Sequence, residues 1–198
     1  MNIANKLTVI RLLSVPVFII VMLLPESIIP LWIACLIGAA LFIGASITDA
    51  LDGHLARKHN LITDFGKFFD PLADKFMVIG ALLVMLFRIE RLSIYILIVA
   101  VVVIFRELAV TSIRLVVSGS SGIVIAANNL GKIKTCTQIA CVIVCIAERT
   151  VYQYVQVPDL LWRYLPFSVV TTAVMLFFTL WSGINYIVSY WKYMDPQK

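Results

Sequence analysis

Four aspartates set at helical intervals are the residues of this chain best suited to chemistry. They lie in Asp49-Ala50-Leu51-Asp52-Gly53-His54-Leu55-Ala56-Arg57 and, after eight more residues, in Gly66-Lys67-Phe68-Phe69-Asp70-Pro71-Leu72-Ala73-Asp74. A helix turns about 100° per residue, so Asp49, Asp52, Gly53 and Ala56 share one stripe, and Gly66, Asp70 and Asp74 share another on the next helix. Two acidic stripes then face each other across a short turn. Carboxylates this dense repel strongly where the dielectric is low, and they stay ionised together only with cations between them. An all-oxygen donor set suits Mg2+ or Mn2+, and no cysteine or histidine pair offers a competing zinc site. A pair of such ions, about 3.5–4 Å apart, is what in-line displacement at phosphorus uses. Gly53, Ala56 and Gly66 are small where the stripes converge, which leaves room for a flat base or a diphosphate against the backbone. His54 reads as an interfacial bystander.

The elements that must hold these residues are apolar. The 198 residues are 62% hydrophobic and 14% charged, with a mean hydropathy of +1.01, which places the chain in lipid. Apolar runs at Val9–Leu24, Leu31–Thr48, Phe76–Phe87, Leu92–Phe105, Gln138–Ile146 and Leu165–Tyr190 predict an all-α polytopic membrane protein of six transmembrane helices. They fill the chain, so residues 1–198 are expected to form a single domain. Crossing a hydrocarbon core about 30 Å thick takes roughly 20 helical residues. The third run must therefore recruit residues back to Gly66, drawing Asp70 and Asp74 into the helix, and the fourth must extend through Arg106 and Glu107 toward Arg114. Ionisable groups carried to that depth are costly and functional by default. The start, Asn5-Lys6-Leu7-Thr8-Val9-Ile10-Arg11, reads as an amphipathic interfacial segment with Lys6 and Arg11 on lipid phosphates.

A formal charge of +5 invites a nucleic-acid partner, but the basic residues form no run, and none is expected. Orientation accounts for them better. With both termini cytoplasmic, Lys6, Arg11, Arg57, Lys58, Lys67, Lys75, Arg106, Arg114, Lys132, Lys134, Lys192 and Lys198 lie inside, leaving Arg88, Arg91, Arg149 and Arg163 outside. The aspartates then face the cytoplasm. Ser118–Gly122 and Asn128–Gly131 read as a flexible inner stretch, His59–Thr63 as a polar turn and Glu148–Arg163 as a polar outer connection. Cys35, Cys136, Cys141 and Cys145 make no CxxC pair and read as small core residues.

The pattern D-x-x-D-G-x-x-A-R, eight residues, G-x-x-x-D-x-x-x-D resembles the signature of the CDP-alcohol phosphotransferase family at each of its eight fixed positions. The likeness extends to the six helices and the amphipathic start. Asn5-x-Leu7-Thr8-x-x-Arg11 with Pro16, and Gly131-Lys132-x-Lys134-Thr135-x-x-Gln138, are similar to the bacterial phosphatidylglycerophosphate synthase branch of that family. The resemblance implies transfer of a phosphatidyl group from CDP-diacylglycerol to sn-glycerol 3-phosphate, with release of CMP. It further implies that Asp49, Asp52 and Asp70 bind metal, and that Asp74 holds the second ion and acts as base toward the acceptor hydroxyl. Asp52, Gly53, Ala56, Arg57 and Gly66, with Asn5 and Thr8, would meet the CDP moiety. A homodimer in the bacterial inner membrane, surrounded by membrane lipids, is implied in the same way.

The signature is silent on the acceptor. A phosphate-bearing acceptor needs fixed cations, and charge and side single out Arg114, Lys132, Lys134 and Arg106. Other acceptors, inositol phosphate or serine, would use the same chemistry. Blander readings compete at individual positions. Asp70-Pro71 could be a helix N-cap with proline at the first helical position, Arg106-Glu107 a self-neutralising pair, and Arg57, Lys58, Lys132 and Lys134 simple interfacial anchors. A cap leaves Asp49 and Asp52 unexplained. A cation or proton transporter could use membrane aspartates as a relay, but the outer halves of the spans are nearly free of charge. A non-catalytic lipid scaffold would not need four carboxylates.

Overall fold

In the computed structural model the backbone is described for residues 3–59, 64–121, 129–155 and 157–191, and side chains for residues 5–48, 69, 71–73, 75–117, 129–155 and 157–191. The described backbone is helical: α1 (Ile3–Leu23), α2 (Leu31–His59), α3 (Asp64–Arg88), a 3₁₀ turn (Glu90–Leu92), α4 (Ser93–Ser121), α5 (Asn129–Tyr154), the short α6 (Asp159–Tyr164) and α7 (Pro166–Tyr190). Five stretches, in α1, α2, α4, α5 and α6–α7, are long and apolar enough to cross a membrane among the described residues. The sixth long helix, α3, carries Asp70, Asp74, Lys75 and Arg88 and is not among them. Its membership of the bundle rests on packing. The six long helices touch in the circular order α1, α2, α5, α7, α4, α3, and α3 also meets α5 across the middle.

Proline punctuates these helices. Pro25 follows α1 and accepts from Ile28 N–H in the turn to α2. Pro166 opens α7, where its missing N–H costs nothing. The residue before a proline is steered away from the right-handed helical region, and Leu165 takes φ 42°, the only positive φ outside glycine among the described residues. Buried there, it turns the chain from α6 into α7.

Between the ends the core is apolar. Phe18 and Phe42 meet with ring centroids 6.0 Å apart, and Val99, Val103, Val142 and Met175 are fully enclosed. The outward faces of α4 and α7 expose Ile94, Leu97, Val101, Phe105, Val170, Val174, Ile184 and Val188, as lipid-facing helices do.

Several boundaries differ from expectation. The start is no separate interfacial segment, because α1 runs unbroken from Ile3 to Leu23. Lys6 is exposed as expected, but Arg11 turns inward with Asn5, Thr8, Val15, Phe18 and Met22, which recur every three or four residues along one buried face. Helix α4 continues through Ser118–Ser121, and residues 60–63 and 122–128 of the expected loops lie outside the described residues. Three cysteines are core residues, but Cys136 is exposed.

The expected outer connection at Glu148 is instead the last third of α5. There, charge satisfies backbone. Arg88 donates to the carbonyls of Met22 and Leu24 at the end of α1, the latter at 2.7 Å. Arg149 donates to the Arg88 carbonyl at the end of α3, at 3.3 Å, and to Gln153 Oε1 at 2.7 Å. Glu148, 5% exposed, accepts the N–H groups of Phe167 and Ser168 at 3.1 and 2.6 Å, and the Ser168 hydroxyl. A carboxylate thus caps the start of α7, where the helix dipole favours it.

Hydrogen bonds to a buried charge contribute about 1.5–3 kcal/mol each, and losing the acceptor also strands its donors. Glu148→Ala is expected to lower stability by about 2–3 kcal/mol. Thermal unfolding in detergent followed by tryptophan fluorescence should show a fall in Tm of about 4–12 °C for a chain this size.

Candidate active site

The chemistry-bearing residues gather at one end of the bundle. The start of α1, the end of α2, the start of α3, the end of α4, the start of α5 and the end of α7 all lie there. Helix α2 carries Asp49, Asp52, Gly53, Ala56 and Arg57 without interruption to His59, and α3 carries Gly66, Asp70 and Asp74. Both segments are helical, as the stripes require. The side chains of these eight residues lie outside the described ones. Because α3 begins at Asp64, Asp70 sits in its second turn and Pro71 inside the helix. Asp70 therefore cannot be the N-cap of α3, and that alternative falls. Pro71 leaves the carbonyl four residues earlier, on Lys67, without its helical donor.

The donor chemistry on these two helices fits divalent ions. It comprises four carboxylates, on consecutive helices that touch each other, with no sulfur or imidazole alternative at the same register. Among the described residues alone, no group of three or more carboxylate, histidine or cysteine side chains comes together.

The buried face of α1 points into the same end. Asn5 is 8% exposed, Thr8 1% and Arg11 2%, and α1 packs on α2 and α3, the helices that bear the aspartates. The two α1 residues expected at the CDP moiety, Asn5 and Thr8, therefore share a face turned toward those helices.

The expected acceptor cations separate into two groups. Lys134, 8% exposed, donates to Glu107 Oε1. Arg106 lies 3.2 Å from the same oxygen, and its other terminal nitrogen donates to the Ser182 hydroxyl. One turn on, Thr111 donates to the Glu107 carbonyl at 2.7 Å and accepts from Lys75 of α3. Four helices meet in this knot. Glu107 and Lys134 are both largely enclosed, so Arg106-Glu107 is more than a self-neutralising pair: the carboxylate serves a second cation on another helix. Arg114 stands nearer the end of α4, its guanidinium 5.9 Å from the Tyr186 ring and its Nε 3.4 Å from that hydroxyl. Lys132 is not brought in. Two residues from Lys134 along α5, it falls about 200° away and is exposed.

Sequence reading missed Lys75, Ser182, Gly183 and Tyr186. Lys75 follows Asp74 directly and could have been found there. Ser182-Gly183 had no local signal, since its role arises only where α7 crosses α4. The Arg106 side chain lies along Gly183, where an added Cβ would stand 2.9 Å from Arg106 Cγ. That contact is with the middle of the side chain and cannot be relieved by moving its tip. Gly183→Ala should therefore push Arg106 off Ser182 at a cost of about 1–3 kcal/mol, read as a lower unfolding temperature in detergent, whereas Gly44→Ala, inside α2 with nothing within 4 Å, should leave that temperature unchanged or raise it.

Comparison with known proteins adds independent weight. Residues 1–191 match the family model for CDP-alcohol phosphatidyltransferase. The chain is 40% identical over 200 aligned residues, covering 96% of each chain, to a protein of Bacillus subtilis (strain 168) named CDP-diacylglycerol–glycerol-3-phosphate 3-phosphatidyltransferase. Proteins of the same name from Haemophilus influenzae and Pseudomonas fluorescens are 32% and 31% identical, over 94% and 98% of this chain and 91% and 92% of theirs.

Proposed function

The chain belongs to the CDP-alcohol phosphatidyltransferase family, and we propose that it transfers the phosphatidyl group of CDP-diacylglycerol to the hydroxyl of sn-glycerol 3-phosphate, releasing CMP. The observation that carries the acceptor is an excess of buried cation over carboxylate among the described residues: Arg106 and Lys134 share a single carboxylate oxygen of Glu107. A phosphomonoester dianion complements such an excess, while serine or a neutral polyol does not. The names of the relatives point the same way.

In this reading Asp49, Asp52, Asp70 and Asp74 would hold two divalent ions, Mg2+ or Mn2+, which supply charge neutralisation at the diphosphate and at the attacking oxygen. The residues of the chain do the remaining work. Gly53, Ala56 and Gly66 let the CDP moiety lie against the backbone, with Arg57, Asn5 and Thr8 contributing polar contacts. Arg106, Lys134 and Arg114 orient the acceptor through its phosphate, and orientation of this kind converts an encounter into an intramolecular attack. Asp74 takes the proton from the attacking hydroxyl. Lys132, exposed, stays at the lipid headgroups. The protein acts as a single domain and a homodimer in the bacterial inner membrane, with this end of the bundle toward the cytoplasm.

Purified protein given CDP-diacylglycerol, glycerol 3-phosphate and Mg2+ or Mn2+ should release CMP, and removal of the metal by chelation should stop it. Asp70→Asn should reduce release by at least about a hundredfold at an unaltered unfolding temperature. Full activity of that variant, or a preference for serine or inositol phosphate in an acceptor panel, would count against the proposal.

A further inference from the structure

Glu107 stands apart from the signature aspartates: it belongs to α4, and no motif singles it out. Yet one of its oxygens receives both Lys134 from α5 and Arg106 from its own helix. Its backbone carbonyl takes Thr111, which in turn takes Lys75 from α3. Arg106 is constrained twice more, by Ser182 and by its path along Gly183. The carboxylate is 8% exposed, as is Lys134. Lys134 and Arg106 are thus both aimed by contacts to one carboxylate oxygen, while Lys75 reaches only the backbone of the same residue, through Thr111.

Resting on the acceptor assignment above, we infer that Glu107 is the positioning residue of the acceptor site, holding Lys134 and Arg106 as a preformed cation pair for a phosphomonoester dianion. It touches neither donor nor reacting atoms in this role. Two opposed effects decide the sign. The Glu107 charge repels an incoming phosphate, but it also compensates cations that are otherwise nearly enclosed in an apolar bundle. An enclosed ammonium deprived of its counter-charge is costly enough to be driven from its place or to lose its charge. Even when bound phosphate supplies two negative charges, the cations must be charged and in place before it arrives. The compensating effect therefore wins, and Glu107 strengthens acceptor binding.

The test measures KM for glycerol 3-phosphate and for CDP-diacylglycerol, kcat, and unfolding temperature in wild type, Glu107→Gln, Glu107→Asp, Lys134→Met and the double variant Lys134→Met/Glu107→Gln. Glu107→Gln should raise KM for glycerol 3-phosphate by about tenfold or more, reduce kcat by less than about threefold, and move KM for CDP-diacylglycerol by less than about twofold. Glu107→Asp keeps the charge and should recover most of the loss. In the Lys134→Met background, Glu107→Gln should add little, because the two residues act through one contact. The double variant also carries no stranded charge from this pair, so it guards against a single variant that fails to fold. An unchanged or lower KM for glycerol 3-phosphate in Glu107→Gln, parallel losses in both KM values and in kcat, or fully additive effects in the double variant would overturn the role of Glu107. Wild-type protein that releases CMP with another acceptor but not with glycerol 3-phosphate would instead remove the acceptor assignment on which that role rests.

Discussion

A charge inside an apolar bundle has to meet a partner, and at the functional end of this protein the partner is Glu107. The cost of leaving Lys134 or Arg106 uncompensated would exceed what most single packing contacts contribute. Joining both to one oxygen fixes α5 against α4, while Ser182 extends the join to α7 and Thr111 with Lys75 extends it to α3. Helices α1 and α2 complete the circle by packing, with α1 against α2 and α3 and α2 against α5. The helix that carries Asp70 and Asp74 is therefore tied to Glu107, and through it to Arg106 and Lys134, by a short chain of hydrogen bonds.

The opposite end obeys the same constraint by different means. Arg88, Arg149 and Glu148 lie at that end, and each is bound to backbone at a helix end. Side chains from neighbouring helices bond these last carbonyls and first N–H groups. Trp162 adds a surface over which Arg91 and Arg149 lie at 5.3 and 5.0 Å from the ring centroid. Charge there stabilises structure. At the other end Arg106 and Lys134 share the one carboxylate of Glu107 among the described residues.

How far the sequence could be read follows from which features are local. Apolar runs located the six long helices, since burial in lipid leaves a long and uninterrupted signal. The aspartate stripes were legible because helical spacing alone puts Asp49 with Asp52 and Asp70 with Asp74, and α2 and α3 are indeed helical through those positions. Boundaries were harder. Glu148 looked like loop because a carboxylate is polar, although an N–H pair on α7 makes it a core residue. Arg11 looked interfacial because arginine usually is, but its place in the Asn5–Thr8–Arg11–Val15 register turns it inward. Lys132 and Lys134 seemed equivalent as charges, and only their positions on the turn of α5 separate them. Glu107 seemed local to Arg106 because its second partner lies 27 residues away on another helix.

The contrast between the two ends also bears on what the membrane aspartates are for. A carrier that moved cations or protons would need ionisable groups reachable in turn from both faces. Here the outer charges are engaged in helix caps, and the layer between the ends is built from Phe18, Phe42, Val99, Val103, Val142 and Met175, all enclosed. Polar groups do occur in that layer, and there Cys141, Cys145 and Thr172 bond to one another and to the Ser168 carbonyl. Opening a path past them would break helix packing on α5 and α7 together. Buried cations on α4 and α5 and a row of carboxylates on α2 and α3, all at one end, suit the proposed reaction, in which a lipid-borne diphosphate and a water-soluble anion arrive at the same membrane surface.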